Sequence, residues 1–159
     1  MNITIRRARP DEVSLLCELD VTIFSEEDAF DTPDLWNGLE TFLILHEETV
    51  IGSIALKHDA IISEISSEND YIGCAGYLYI VSTGILPQWQ GRGIGDVAKT
   101  WEINYAREQG FKRIVTNARV SNHRSINLNR KFGFKITKEL PGWYGKEDAV
   151  VMELDLQGT

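Results

Sequence analysis

The chain has 159 residues, of which 43% are hydrophobic and 25% are charged, and its formal net charge is −8 at pH 7. This length and composition predict a single globular domain over residues 1–159 that buries a core of its own. The acidic balance argues against nucleic acid as a partner and favours a cationic one. No apolar run has the length of a membrane span, and the start of the chain lacks the apolar core of a signal peptide.

Two cysteines and three histidines are scattered along the chain without the spacing of metal ligands. Cys17 and Cys74 are therefore predicted to be reduced thiols, which are typical of a cytoplasmic protein. Neither a metal nor a membrane is expected among the binding partners of this chain.

Apolar periodicity predicts the elements of the first half of the chain. They are a strand at 2–7, a helix from Asp11 to about Asp20, a loop at 24–34, a short helical piece at 35–39, and hairpin strands at 41–46 and 50–57. Asp11 is the expected N-cap of the helix. The loop at 24–34 is rich in acidic residues, and the stretch 58–69 has no clear pattern.

In the second half of the chain, glycine and proline mark the ends of the predicted elements more clearly. Its predicted elements are a central strand within 71–86, a helix at 93–109, a strand at 112–119, a helix capped by Ser121 or Asn122 and running to about Phe132, and strands at 134–139 and 149–156. Gly84, inside the central strand, indicates a bulge or a close approach by another group. The strand–helix–strand from 77 to 119 has the spacing of a right-handed parallel crossover, so the fold is predicted to be mixed α/β.

The glycine-rich turn Gln90-Gly91-Arg92-Gly93-Ile94-Gly95 lies between this central strand and its helix. Such a turn aims several backbone N–H groups at one point, where the helix dipole adds positive charge and favours phosphate. A P-loop needs Lys and Ser or Thr after the last glycine, and a dinucleotide fingerprint needs a glycine where this chain has Asp96. The turn therefore predicts a phosphorylated cofactor that neither nucleotide pattern describes.

Two motifs in this order resemble the GNAT superfamily of N-acetyltransferases. Residues 85–95 are similar to the family pattern V-x-P-x-[YF]-[RQ]-x-x-G-x-[GA], and residues 122–134 resemble N-x-x-[AS]-[IL]-x-L-Y-x-K-x-G-F. The resemblance implies a mixed, mostly antiparallel central sheet that is flanked by helices and has splayed central strands. The segment 143–152 also resembles the ending of the N-terminal protein acetyltransferases, including the ribosomal-protein alanine acetyltransferases.

The resemblance implies that acetyl-CoA binds with its pyrophosphate on backbone N–H groups of the glycine-rich turn. Its pantetheine would lie between the strand that ends at Leu86 and the strand that continues from Asn117, and backbone groups around Ile85 would polarise the thioester. The residues expected at the cofactor are Gly84, Ile85, Gln90, Gly91, Arg92, Gly93, Ile94, Gly95, Asp96, Asn122, Ser125 and Asn129.

The general base and general acid positions of the resembled subfamily hold Asn117 and Asn129 in this chain. An amide does not exchange protons at neutral pH, whereas acetyl transfer to an amine needs both proton steps. Tyr144, in the loop between the last two strands, is the remaining candidate for the acid. The alternative for Tyr144 is an aromatic residue that packs beside Trp143 and shapes the acceptor pocket.

The resemblance implies an acetyl-CoA-dependent N-acetyltransferase in which a primary amine attacks the thioester directly. Its acceptor partner is either a protein N-terminus or a small-molecule amine such as a polyamine, an amino acid or an aminoglycoside. The acidic loop at 24–34 favours the small cationic molecules. A non-catalytic acyl-CoA-binding domain is the third alternative. A second copy of the chain, in a homodimer, is a further candidate partner.

Overall fold

The computed structural model describes residues 2–58 and 76–157. Its helices and strands are β1 (Ile3–Arg7), α1 (Val13–Ile23), β2 (Glu40–His46), β3 (Thr49–His58), β4 (Tyr77–Ile85), α2 (Ile94–Glu108), β5 (Arg113–Arg119), α3 (His123–Lys131), β6 (Lys135–Leu140) and β7 (Ala149–Asp155). Cys74 and the stretch 59–69 lie outside the described residues, as does the start of the strand region predicted within 71–86.

The strands form a seven-stranded mixed sheet in the order β1-β2-β3-β4-β5-β7-β6. Antiparallel pairing joins β1 to β2, β2 to β3, β5 to β7 and β6 to β7. The pair β4 and β5 is parallel over Tyr77–Ile80 and Arg113–Thr116, and α2 connects the two strands. The predicted fold class, a mostly antiparallel α/β sheet flanked by helices, is therefore confirmed.

Two predicted element boundaries are wrong in detail. Asp11 does not cap the first helix, because a 3₁₀ turn at Pro10–Glu12 precedes α1 and Asp11 pairs instead with Arg9 Nε at 3.1 Å. The buried Glu12 accepts the Arg9 backbone N–H and binds Arg6 through both carboxylate oxygens, each at 2.8 Å. The Arg6 hydrogen bonds hold the pKa of Glu12 at about 2. The helical piece expected at 35–39 is a 3₁₀ turn at Pro33–Trp36.

The described chain separates into two units, one with residues 2–57 and 81–101 and the other with residues 58, 76–80 and 102–157. In the first unit α1 packs on the β2–β3 hairpin, and the buried side chains of this core include Leu16, Leu19, Trp36, Leu43 and Ala55. That 1–159 forms a single domain stays a prediction.

In the second unit the core lies between β4, β5 and β7, where Tyr77, Val115 and Val151 pack together. The antiparallel ladder of β5 with β7 runs from Arg113↔Asp155 to Arg119↔Ala149. This ladder brings the loop at 141–148, which precedes β7, to the end of β5. Among the described residues, no helix has the length and apolar character that crossing a membrane requires.

Candidate active site

The glycine-rich turn has the backbone conformation that its sequence requires. After β4 the chain makes a 3₁₀ turn at Pro87–Trp89, and α2 begins at Ile94. Gly91 and Gly93 have φ angles of 77° and 83°, which L-residues with side chains rarely adopt. A Cβ on either glycine would meet no atom within 4 Å, so both are open to the surroundings.

The first backbone N–H groups of a helix have no partner within the helix, and their dipoles point outward along its axis. The exposed residues of the turn lie directly before α2. The first residue of the helix, Ile94, is buried and anchors the start of α2. The backbone N–H of Val97 donates to the Gly93 carbonyl at 3.3 Å. The N–H groups that precede Val97 therefore lie at the helix end, where a phosphate is favoured.

Side chains of the turn fasten it to the end of β4. Gln90 Nε2 donates to the carbonyl oxygen of Ile85 at 2.9 Å. The guanidinium of Arg92 lies 5.0 Å from the centre of the Trp89 ring, and that ring lies 4.9 Å from the ring of His46. Arg92 is exposed at the turn, and Asp96 occupies the first turn of α2.

The close approach predicted at Gly84 is confirmed. A Cβ on Gly52 of β3 would overlap with the carbonyl oxygen of Gly84 and lie 3.3 Å from its carbonyl carbon. On the other side, a Cβ on Gly84 would lie 3.0 Å from Phe24 and 3.1 Å from Ile23. The backbone of Gly84 is therefore held between a neighbouring strand and the residues at the end of α1.

In the second unit the structure brings two of the predicted catalytic residues together. Asn117 of β5 donates its Nδ2–H to the hydroxyl oxygen of Tyr144 at 3.0 Å. The hydroxyl of Tyr79 on β4 donates to the other end of the same amide, Asn117 Oδ1. The amide thus has a fixed orientation and joins two phenols into one hydrogen-bonded chain.

Tyr79 is a residue that the sequence interpretation missed. The parallel register pairs Tyr79 with Val115, and Asn117 lies two positions further along β5 on the same face as Val115. The contact between Tyr79 and Asn117 follows from the register of β4 and β5, and no local sequence pattern contains that register. The chain of Tyr79, Asn117 and Tyr144 can orient a proton on a phenol, although the amide itself cannot transfer one.

The helix α3 carries the other predicted residues. Asn122 is its N-cap, as predicted, and its Oδ1 accepts the Ser125 N–H at 3.2 Å. Asn122 is exposed, whereas Asn129 is only 3% exposed and its Nδ2 lies 3.6 Å from Met152 Sδ in β7. The structure therefore places Asn122 and Ser125 at the start of α3 and packs Asn129 against the sheet.

Asp20 is a buried carboxylate near the acidic loop. Its side chain is 1% exposed, Oδ2 accepts the Phe30 N–H at 3.0 Å, and Oδ1 has no hydrogen-bond partner in the described part of the chain. Burial raises the pKa of Asp20 to about 6, partly offset by the Phe30 hydrogen bond. Phe30 in turn accepts Trp36 Nε1–H at 3.1 Å, so Asp20 helps to hold the loop against α1.

No cluster of three or more His, Cys, Asp or Glu side chains suited to a metal ion occurs within residues 2–58 and 76–157. The features that could bind a ligand or take part in a reaction are therefore the open glycine-rich turn, the backbone at Gly84 and the Tyr79–Asn117–Tyr144 chain.

Comparison with known proteins identifies the class of protein that this fold and these features define. The family described as "Acetyltransferase (GNAT) family" matches residues 13–134. The chain belongs to the acetyltransferase (GNAT) family, as its motifs indicated, and it is an acetyl-CoA-dependent N-acetyltransferase with acetyl-CoA as its cosubstrate.

Individual relatives are similar over much of the chain. It is 26% identical to the "Probable N-acetyltransferase san" of Drosophila melanogaster, covering 99% of this chain and 83% of that protein. It is 25% identical to the "N-alpha-acetyltransferase 50" of Danio rerio, covering 67% and 66% of the two chains. The crystal structure of the ribosomal-protein-S18-alanine N-acetyltransferase from Escherichia coli has the same fold, with a TM-score of 0.77, 13% identity and coverage of 97% and 94%.

Proposed function

We propose that this acetyltransferase modifies the α-amino group at the N-terminus of a protein or peptide. The observation that carries the proposal is the hydrogen-bonded chain in which Asn117 joins Tyr79 to Tyr144 of the loop before β7. That loop belongs to the segment 143–152, which resembles the ending of N-terminal protein acetyltransferases. The similarity to a protein called an N-alpha-acetyltransferase supports the same acceptor.

For the cosubstrate, we assign the pyrophosphate to the backbone N–H groups of the turn from Gly91 to Gly95. The positive φ angles of Gly91 and Gly93 and the open space around both support this assignment. The Gln90 side chain, which holds the Ile85 carbonyl, keeps the turn attached to β4. The cofactor roles of Asn122, Ser125 and Asn129 rest on the family resemblance.

Acetyl-CoA supplies the acetyl group, and the residues of the chain position it and handle protons. We assign the stabilisation of negative charge on the thioester oxygen to the Ile85 N–H, because the neighbouring Leu86 N–H already donates to the Ile51 carbonyl at 2.8 Å. The amine gives one proton to water before it attacks and a second proton to water as the amide forms. A C–N bond forms, the C–S bond breaks, and the departing thiolate takes a proton from the Tyr144 phenol. Asn117 fixes the direction of that phenol, and the phenol recovers its proton from solvent.

A small-molecule amine is the second candidate for the acceptor. The loop at 24–34 carries several acidic residues that are mostly exposed, and such a surface attracts polyamines and aminoglycosides. These acids are also compatible with a solvated loop that takes no part in binding. A cytoplasmic location stays a prediction from the cysteine content.

Comparison of acceptors at equal concentration tests the proposal. The purified protein is given acetyl-CoA together with peptides that differ in their first residue, or with polyamines, amino acids and aminoglycosides, and CoA release is recorded. We expect some peptides to react at least tenfold faster than every small amine, measured as kcat/KM. Faster turnover of a small amine than of every peptide would contradict the proposed acceptor.

A further inference from the structure

The loop at 141–148 is fastened to the end of β5 by contacts that the proposed chemistry does not use. Arg119 lies two residues after Asn117 on β5, so both side chains project from the same face of the strand. The guanidinium carbon of Arg119 lies 4.2 Å from the centre of the Tyr144 ring. Its Nη1 also lies 3.2 Å from Glu147 Oε1. Arg119 thus contacts the ring of Tyr144 and the loop at the same time.

Glu147 is the other half of this contact. Its Oε2 accepts the Ser121 N–H at 3.3 Å, and its carbonyl oxygen accepts the Tyr144 N–H at 3.0 Å. Hydrogen bonding to Ser121 and the neighbouring Arg119 hold the pKa of Glu147 below its usual range. The side chains of Arg119 and Glu147 are 22% and 24% exposed, so most of each is removed from water. Partial burial makes such a pair less sensitive to screening than an exposed one.

We propose that Arg119 and Glu147 are positioning residues that hold the Tyr144 hydroxyl against Asn117 during acetyl transfer. The side chain of a tyrosine in a loop between two strands is free to change its rotamer unless other groups hold its ring. Arg119 fixes the face of the ring, Glu147 fixes Arg119 and the loop backbone, and Asn117 fixes the hydroxyl. A planar guanidinium can stack on a ring and bind a carboxylate together, which the ammonium of lysine does poorly.

The backbone of the loop at 141–148 is also held in place by hydrogen bonds. Gly142 and Gly145 have φ angles of 67° and 79°, and the Gly142 N–H donates to Asp148 Oδ1 at 2.8 Å. The Val120 N–H donates to the Asp148 carbonyl at 3.1 Å. These bonds fix both ends of the loop, so Arg119 and Glu147 act on its middle, where Tyr144 lies. The inference rests on the proposed role of Tyr144 and extends it to residues that do not touch the reacting atoms.

A double-mutant cycle in the full-length protein tests the proposal. Arg119→Met should lower kcat on the order of tenfold while leaving the KM for acetyl-CoA within about twofold, because only the orientation of Tyr144 is lost. In a Tyr144→Phe background the same change should have no further effect on kcat. Arg119→Lys should recover part of the loss, and Glu147→Gln should lower kcat less than Arg119→Met does.

Arg113→Met is the matched control. Arg113 is on the same strand and pairs with Glu153 at 3.2 Å, but its ion pair lies at the other end of the ladder from Tyr144. Its removal should leave kcat unchanged. Additive effects of Arg119→Met and Tyr144→Phe, or an Arg113→Met effect as large as that of Arg119→Met, would overturn the proposal. If Arg119→Met does not fold, Arg119→Lys and Glu147→Gln replace it in the cycle.

The cycle also separates this inference from the proposed acceptor. If the protein acetylates a small amine and no peptide, the acceptor proposal fails, and the cycle is measured with that amine. If peptides are acetylated but Tyr144→Phe and Arg119→Met both keep the wild-type kcat, the positioning inference fails and the acceptor proposal stands.

Discussion

Gly52 of β3 and Gly84 of β4 pack so closely that a Cβ on Gly52 would overlap with the carbonyl oxygen of Gly84. The obstacle is backbone, which cannot rotate away, so β4 must shift to admit even one methyl group. We expect Gly52→Ala to lower the free energy of unfolding by about 1–3 kcal/mol and to weaken acetyl-CoA binding. Denaturant unfolding and calorimetric titration measure these two effects.

Gly84→Ala is the comparison for this prediction. A Cβ on Gly84 meets side-chain atoms of Phe24 and Ile23 at 3.0 and 3.1 Å, and side chains can move. The loss of stability should therefore be smaller than for Gly52→Ala. Equal stability of Gly52→Ala and the wild type would show that the two strands do not constrain each other here.

The glycine-rich turn can be tested by separating charge from backbone strain. Gly93 has a φ angle of 83° and room for a Cβ, so Gly93→Ala introduces strain alone, whereas Gly93→Asp adds a negative charge beside the assigned pyrophosphate. We expect calorimetric titration to show weaker acetyl-CoA binding for Gly93→Ala and no measurable binding for Gly93→Asp. Wild-type affinity for acetyl-CoA in both variants would place the phosphates elsewhere.

Tyr144→Phe removes the hydroxyl that accepts the Asn117 N–H and keeps the ring on which Arg119 stacks. If this phenol protonates the departing thiolate, single-turnover kinetics should show a rate lower by roughly two orders of magnitude at unchanged acetyl-CoA affinity. Trp143→Phe is the control in the same loop and should have a much smaller effect. Wild-type turnover by Tyr144→Phe would remove Tyr144 from the chemistry.

Asp20 should make the protein less stable as the pH rises. Its pKa is raised to about 6 by burial, so its contribution to stability is complete below the unfolded pKa of about 4 and is lost as the pH rises through about 6. Asp20→Asn keeps an acceptor for the Phe30 N–H without the charge. It should raise the free energy of unfolding at pH 7 on the order of 1 kcal/mol and flatten its pH dependence between pH 4 and 6.

Glu18→Gln, on the exposed side of the same helix, should change neither quantity in urea unfolding at several pH values. A lower stability of Asp20→Asn at pH 7 would mean that the ionised carboxylate has stabilising partners.

Much of the fold was predictable because local patterns specify it. The segment from β4 through α2 to β5 contains such local signals. They are the glycines of the turn, the apolar face of α2, and Gly110 after the end of α2, which has a φ angle of 82°. Asn122 caps α3 as expected. The start of α1 was predicted incorrectly, because Glu12 binds Arg6 of a different element and no local signal reports that contact.

The candidate site was less predictable, because its contacts join residues that are distant in sequence. Tyr79 meets Asn117 through the parallel register, and Arg119 meets Tyr144 through the path of a loop. Asn129 illustrates the reverse case. Helical spacing places it on a face with Asn122 and Ser125, but whether that face meets β7 or solvent depends on packing.

The most direct test of the proposed function is the position of the acetyl group on a peptide that carries both an α-amino group and an internal lysine. The protein is incubated with acetyl-CoA and this peptide, and fragmentation mass spectrometry locates the modification. A second peptide of the same sequence with a blocked N-terminus serves as the control. We expect acetylation of the α-amino group alone and no modification of the blocked peptide. Acetylation of the lysine in both peptides, with the free N-terminus unmodified, would contradict it.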